Sequence, residues 1–237
     1  VNRSFFVMMY LLRKGFDVGY RKGFVVSFVF GFLVRLVPEV LSYPYPIGFD
    51  TVYYAARMKS GIVWYHWASV FSTWLLYAIL IPAYRVVQGD PFLLLKLVAP
   101  LLYGLNVCGV YFFARKALDW ETRKALIAVF FFAFQLASLG ISWQFYRNML
   151  GLGMLLFALP LIGYVKTKTG FGLFVLLSLF VVFGHEYASV TLFAVILGFV
   201  VSRWLKRLGM VPWRILAAVV PALAVFLASV YFIVFPV

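Results

Sequence analysis

The sequence predicts an all-α, polytopic membrane protein of about seven transmembrane helices with a long structured first external loop. Three observations carry that prediction. Residues 97–237 run as almost continuous apolar sequence, with charge-free stretches at 97–114, 125–146, 148–165, 169–184, 187–202 and 215–237. A helix rises about 1.5 Å per residue, so roughly 20 apolar residues cross a bilayer's hydrocarbon core. The composition is 65% hydrophobic and only 12% charged, against about 25% charged in soluble domains. Finally, small knots of Lys and Arg separate the apolar runs, the arrangement that orients membrane helices.

Residues 1–23 carry Arg3, Arg13, Lys14, Arg21 and Lys22 among Phe5, Phe6, Met8, Met9, Tyr10, Leu11 and Leu12. Basic and apolar side chains interleaved in this way suit an interfacial segment on the anionic cytoplasmic face. A first span follows at about 24–38. Arg35, near its far end, can snorkel outward or pair with Glu39 one turn on.

The charge-free run 60–84 poses the main topological choice. If 62–86 lies along the outer surface, fifteen of the 21 Lys and Arg residues face the cytoplasm and six face outward. Making it a span moves ten of the fifteen to the wrong side if 169–202 holds two spans, and leaves twelve against nine if 171–202 is one helix. The strongest bias selects seven spans: about 24–38, 92–113, 125–145, 148–165, 171–184, 187–202 and 211–235. The chain then divides into a cytoplasmic segment, 1–23, and a seven-span module, 24–237, with an external loop at 39–91. Trp64, Tyr65, Trp67, Trp74 and Tyr77 are expected at headgroup level. The spans at 171–184 and 187–202 are short and meet at Gly184-His185-Glu186-Tyr187; broken helices are tolerated where they line a protein cavity.

Charge and cysteine content exclude several classes. The net charge of +14 sits in knots between apolar runs rather than along a nucleic-acid-binding face, so no nucleic-acid partner is expected. Cys108 is the sole cysteine, which rules out an internal disulfide and a thiolate metal site. The expected location is the cell membrane, multi-pass, with a cytoplasmic N-terminus and membrane lipids as neighbours.

Of seven acidic residues, Asp17, Asp119 and Glu121 fall in cytoplasmic segments and Asp90 precedes Pro91 as a turn residue. Glu39, Asp50 and Glu186 are left on the external side. Asp50, in Pro44-Tyr45-Pro46-Ile47-Gly48-Phe49-Asp50, reads either as the N-cap of a helix over 51–59 or as a general base in a shaped loop. Glu39 has Arg35 one turn back, which favours a structural ion pair. His185 and Glu186 interrupt more than thirty apolar residues, and ionisable groups at membrane depth cost about 2.5–3.5 kcal/mol each on insertion scales. They either pair with Arg147 or line a site. Arg147, in Gln144-Phe145-Tyr146-Arg147-Asn148, offers a planar donor fork suited to phosphate.

With these residues in place the chain resembles the GT-C superfamily of polytopic glycosyltransferases. The resemblance rests on Arg35-Leu36-Val37-Pro38-Glu39 closing the first span and on Gly48-Phe49-Asp50 followed by Tyr53, Tyr54 and Gly61. The segment 64–88, Tyr111-Phe112-Phe113-Ala114-Arg115-Lys116, and the second external loop from Ser142 to Asn148 complete it. It implies an inverting transfer from a polyprenyl-phosphate-linked sugar donor, with Asp50 as catalytic base and Glu186 as the second catalytic candidate. Arg57, Lys59, Tyr146, Arg147, Asn148 and His185 would bind substrate. Superfamily members that hold a divalent metal carry acidic residues in the second external loop, where this chain has Tyr146, Arg147 and Asn148; no cofactor is assigned. Many members carry a C-terminal domain for the acceptor, so a further domain or a partner subunit is expected to supply that site. The competing readings are a transport or lipid-handling protein with a polar site at Arg147, His185 and Glu186, and a scaffold whose polar groups pair internally.

Overall fold

The computed structural model describes residues 18–64, 67–205 and 212–234, and every regular element among them is helical. The interfacial reading of 1–17, the headgroup placement of Tyr65, and Lys206 and Arg207 lie outside the described residues. The order is α1 (Val18–Leu41), α2 (Asp50–Ser60), a 3-10 turn (Trp67–Phe71), α3 (Leu75–Val87), α4 (Pro91–Lys116), α5 (Thr122–Phe134), α6 (Leu136–Gln144), α7 (Tyr146–Leu161), a second 3-10 turn (Ile162–Tyr164), α8 (Lys168–Gly184), α9 (Glu186–Leu205) and α10 (Trp213–Val234).

Five of these are long and apolar enough to cross a membrane: Gly19–Leu41, Pro91–Lys116, Tyr146–Tyr164, Glu186–Leu205 and Trp213–Phe232. That is compatible with a multi-pass membrane protein. The expected span at 125–145 is instead two helices, α5 and α6, bent by 57° across Gln135. The bend leaves carbonyls at the end of α5 without helical partners, and the Tyr103 hydroxyl of α4 donates to Ala133 O at 2.9 Å. Satisfying freed backbone groups from a neighbouring helix is what lets an apolar helix break. α8, at 17 residues, is apolar but shorter than the five. The run 60–84 makes no long helix; α3 has 13 residues, about 20 Å, and buries Leu76, Tyr77, Leu80 and Ile81.

α4 is the central post, packed by α1, α5 and α7, with α2 lying across its Asp50-side end. Small residues permit the closest crossing. A Cβ on Gly104 of α4 would stand 2.9 Å from the Phe28 carbonyl oxygen of α1, so only glycine fits there. Asp90 is an N-cap rather than a simple turn residue, its Oδ1 accepting the Phe92 N–H at 3.0 Å. α8 is sandwiched by α7, α9 and α10 around Phe174, Val181, Leu192 and Ala218. The 3-10 turn at Trp67–Phe71 docks on α10, both aromatic rings meeting Phe232 at 4.9 and 5.6 Å.

Candidate functional site

One end of the bundle gathers the C-terminus of α1, all of α2 and α3, and the junctions α6–α7 and α8–α9. The second of these junctions is built by two glycines. The chain turns to extended backbone at His185, φ −164° and ψ 141°, between α8 and α9. Gly184 lies against Gly151 of α7; a Cβ on Gly184 would stand 3.0 Å from Gly151 Cα, and one on Gly151 would stand 2.7 Å from His185 Cβ. Arg147 is one turn before Gly151 and shares its helix face, so the crossing brings Arg147 and Glu186 towards each other.

They do not pair directly. Thr73, 7% exposed between the 3-10 turn and α3, joins them. Arg147 Nη1 donates to Thr73 Oγ1 at 2.9 Å, and the threonine hydroxyl donates to Glu186 Oε1 at 3.2 Å. His185 Nδ1 accepts the Tyr187 N–H at 3.2 Å, which leaves the neutral imidazole's proton on Nε2, 3.6 Å from Glu186 Oε2. The expected pairing of His185-Glu186 with Arg147 is thus a relay through a residue that carries no sequence signal of its own.

Tyrosines wall the cluster. Tyr54 of α2 is buried and stacks on Tyr146 at 5.1 Å and 12°. Burial raises the Tyr54 phenol above its ordinary pKa while the adjoining Arg147 pulls the other way; Asp50, one turn before it, adds to the rise. Tyr77, expected at headgroup level, turns inward instead, 4% exposed, 6.2 Å from the Tyr54 ring and 5.1 Å below the Arg57 guanidinium. Burial raises its pKa too. Both phenols therefore stay protonated and available as donors at neutral pH.

Asp50 is the first residue of α2, not a cap. The helix is preceded by Phe49, which makes no side-chain capping bond, and the half-exposed Asp50 carboxylate has no hydrogen-bond partner among the described residues. Of the two basic residues expected on α2, Arg57 is buried and donates to Val63 O at 3.1 Å, whereas Lys59 is exposed on another face. Asn148 is half-buried one residue beyond Arg147. The loop expected from Ser142 to Asn148 is almost wholly helical: Phe145 alone separates α6 from α7, and Arg147 sits in the first turn of α7.

A second polar cluster lies behind the first. Arg35, fully buried, meets Glu39 at 2.6 Å, and the Glu39 carboxylate also meets Lys96 at 3.2 Å. The ion pair expected between Arg35 and Glu39 is present, but as part of a triad. Lys96 stands out in hindsight as the one basic residue inside the apolar run of α4.

No group of three His, Cys, Asp or Glu side chains converges to hold a metal ion among the described residues. Tyr146, Arg147 and Asn148 do not fit a divalent cation, which takes carboxylate and carbonyl oxygens. Set against protein-family models, curated proteins and solved structures, the chain matches none of them.

Proposed function

We propose that the protein is a GT-C-type membrane glycosyltransferase that moves a sugar from a polyprenyl-phosphate donor to an acceptor hydroxyl at the Asp50 end of the bundle. The observation that carries this reading is the presence, at one end of an apolar bundle, of an unengaged carboxylate and a half-buried cation. Asp50 stands one turn from Tyr54, and Tyr54 stacks on Tyr146, the residue before Arg147. In the reaction Asp50 takes the proton of the acceptor hydroxyl as its oxygen bonds to the anomeric carbon. The bond from that carbon to the lipid phosphate breaks with inversion, and the phosphate leaves with the electron pair. Arg147, helped by Arg57 and the Tyr77 hydroxyl, offsets the negative charge growing there. Glu186 is already engaged by Thr73 and His185, so it ranks behind Asp50 as the base.

This reading takes the bent pair α5–α6 and the short α8 as spans, seven in all, with the Asp50 end external and the N-terminus cytoplasmic. A non-covalent lipid-handling role draws on the same relay, because Thr73 lets Arg147 and Glu186 satisfy each other without substrate. The separating experiment is to incubate membranes holding the protein with radiolabelled polyprenyl-phosphate sugars. Transfer of label from the lipid to a water-soluble or protein acceptor supports the enzyme. Label that is retained on lipid but moved between leaflets supports handling instead.

A further inference from the structure

We propose that the buried Arg35–Glu39–Lys96 triad is a positioning device that holds the entry to the Asp50 loop at a fixed spacing from the segment leading to Arg147. The inference rests on the proposed site but not on its chemistry.

The triad touches both halves of the site. Lys96 Nζ donates to Glu39 O at 3.0 Å and to Ser42 Oγ at 2.8 Å, besides its 3.2 Å contact with Glu39 Oε2. An ammonium has three donors and no acceptor, so all its donors are spent on the last turn of α1 and the first residue of the loop. That loop reaches Asp50 eight residues later. On the other side, Arg35 Nε and Nη2 donate to Ser142 O at 3.3 and 3.2 Å. Ser142 precedes Arg147 by five residues, across the single-residue joint at Phe145. Removing three charges from water is rarely repaid by their mutual attraction, and in some proteins the role of such a cluster is to fix one geometry. Here the excess is plain, because two cations share one carboxylate and Arg35 Nη1 is buried without a hydrogen bond.

The charge count also selects the informative variant. Glu39→Gln strands two adjacent cations and threatens folding. Lys96→Met leaves the balanced Arg35–Glu39 pair intact, keeps the aliphatic stem's packing, and frees only Ser42 and the end of α1.

Spin labels on Tyr45→Cys, in the loop, and Trp143→Cys, in α6, both exposed, with Cys108→Ser in the background, report the spacing directly. The unsubstituted triad is expected to give one narrow distance distribution. Lys96→Met is expected to broaden or shift it at unchanged thermal stability, and Lys96→Arg to restore it. In the label-transfer assay, Lys96→Met is expected to lower kcat about 10–100-fold with donor KM little changed, the size of effect that ångström-scale misplacement produces. A distance distribution unmoved by Lys96→Met overturns the proposal, as does broadening that Lys96→Arg fails to restore. An unsubstituted protein that transfers no label removes the glycosyltransferase reading instead and leaves the distance measurement to decide this one.

Discussion

The two ends of the bundle use the same side chains for opposite purposes. At the Asp50 end there are six basic residues, and Arg35, Arg57 and Lys96 are buried with partners. At the other end the described basic residues are Arg21, Lys22, Arg115, Lys116, Arg123, Lys124, Lys166, Lys168, Arg203 and Arg214, and none is buried. Several lie over ring faces or reach backbone carbonyls from the surface: Lys116 sits 4.9 Å from the Tyr20 ring and Arg214 donates to Lys166 O. Exposed cations are worth little to stability and much to orientation in a leaflet. Buried ones are expensive to house, and their arrangement is the part that repays study. Counting charges along the chain finds the first kind; only the fold distinguishes the second.

The comparison breaks most sharply at Asp50. Asp50→Asn keeps the side chain's shape and removes proton acceptance, and loss of a general base costs about 10²–10⁴-fold in rate. Because Asp50 makes no capping bond, thermal stability is expected to hold, and transfer rate and melting temperature measured on one preparation decide it. Near-normal turnover would return the role to Glu186.

Glu39→Gln should come next, and it acts on stability. It leaves Arg35 and Lys96 buried side by side without a carboxylate, a change of about 3–5 kcal/mol, read by denaturation in detergent micelles. A variant as stable as the parent would mean that the triad is solvated.

Gly151→Val adds a Cβ 2.7 Å from His185 Cβ and branches it. Overpacking of this kind costs about 1–3 kcal/mol, and it should push the α8–α9 junction away from Arg147. Crosslinking yield between cysteines placed at Thr73 and Glu186 measures that displacement; an unchanged yield shows that the crossing has slack.

The smallest effect belongs to the far end. Lys124→Gln, fully at the surface, is expected to stay within about 0.5 kcal/mol of the parent. A large loss there would remove the distinction between the ends.

Apolar run length made the helices at α1, α4, α7, α9 and α10 legible, and the ionisable pair inside a long apolar stretch marked the break at His185. The run 60–84, which charge bias placed outside the spans, has among its described residues no helix long enough to pass for a full span. The α5–α6 bend was not legible, because Gln135 carries no breaker and the hydroxyl that caps the freed carbonyl comes from Tyr103, about thirty residues away. In the site, Arg35–Glu39 could be read from i,i+4 spacing, and Arg147 from its isolation. Thr73 could not, since a threonine among aromatics is unremarkable until two helices and a 3-10 turn meet around it. Tyr77 was read as interfacial from its neighbours, yet its fate depended on whether α2 lay over it.

The length of α8 has one more consequence. Its 17 residues cover about 26 Å, against roughly 30 Å for a typical hydrocarbon core. On the seven-span proposal, in which α8 crosses, it ends a few ångström short of the headgroups and leaves His185 and Glu186 within the acyl region rather than above it. Thinner bilayers would lift the pair to the interface, and thicker ones would sink it. The protein's activity should then follow lipid chain length, which makes membrane thickness a variable of the site itself.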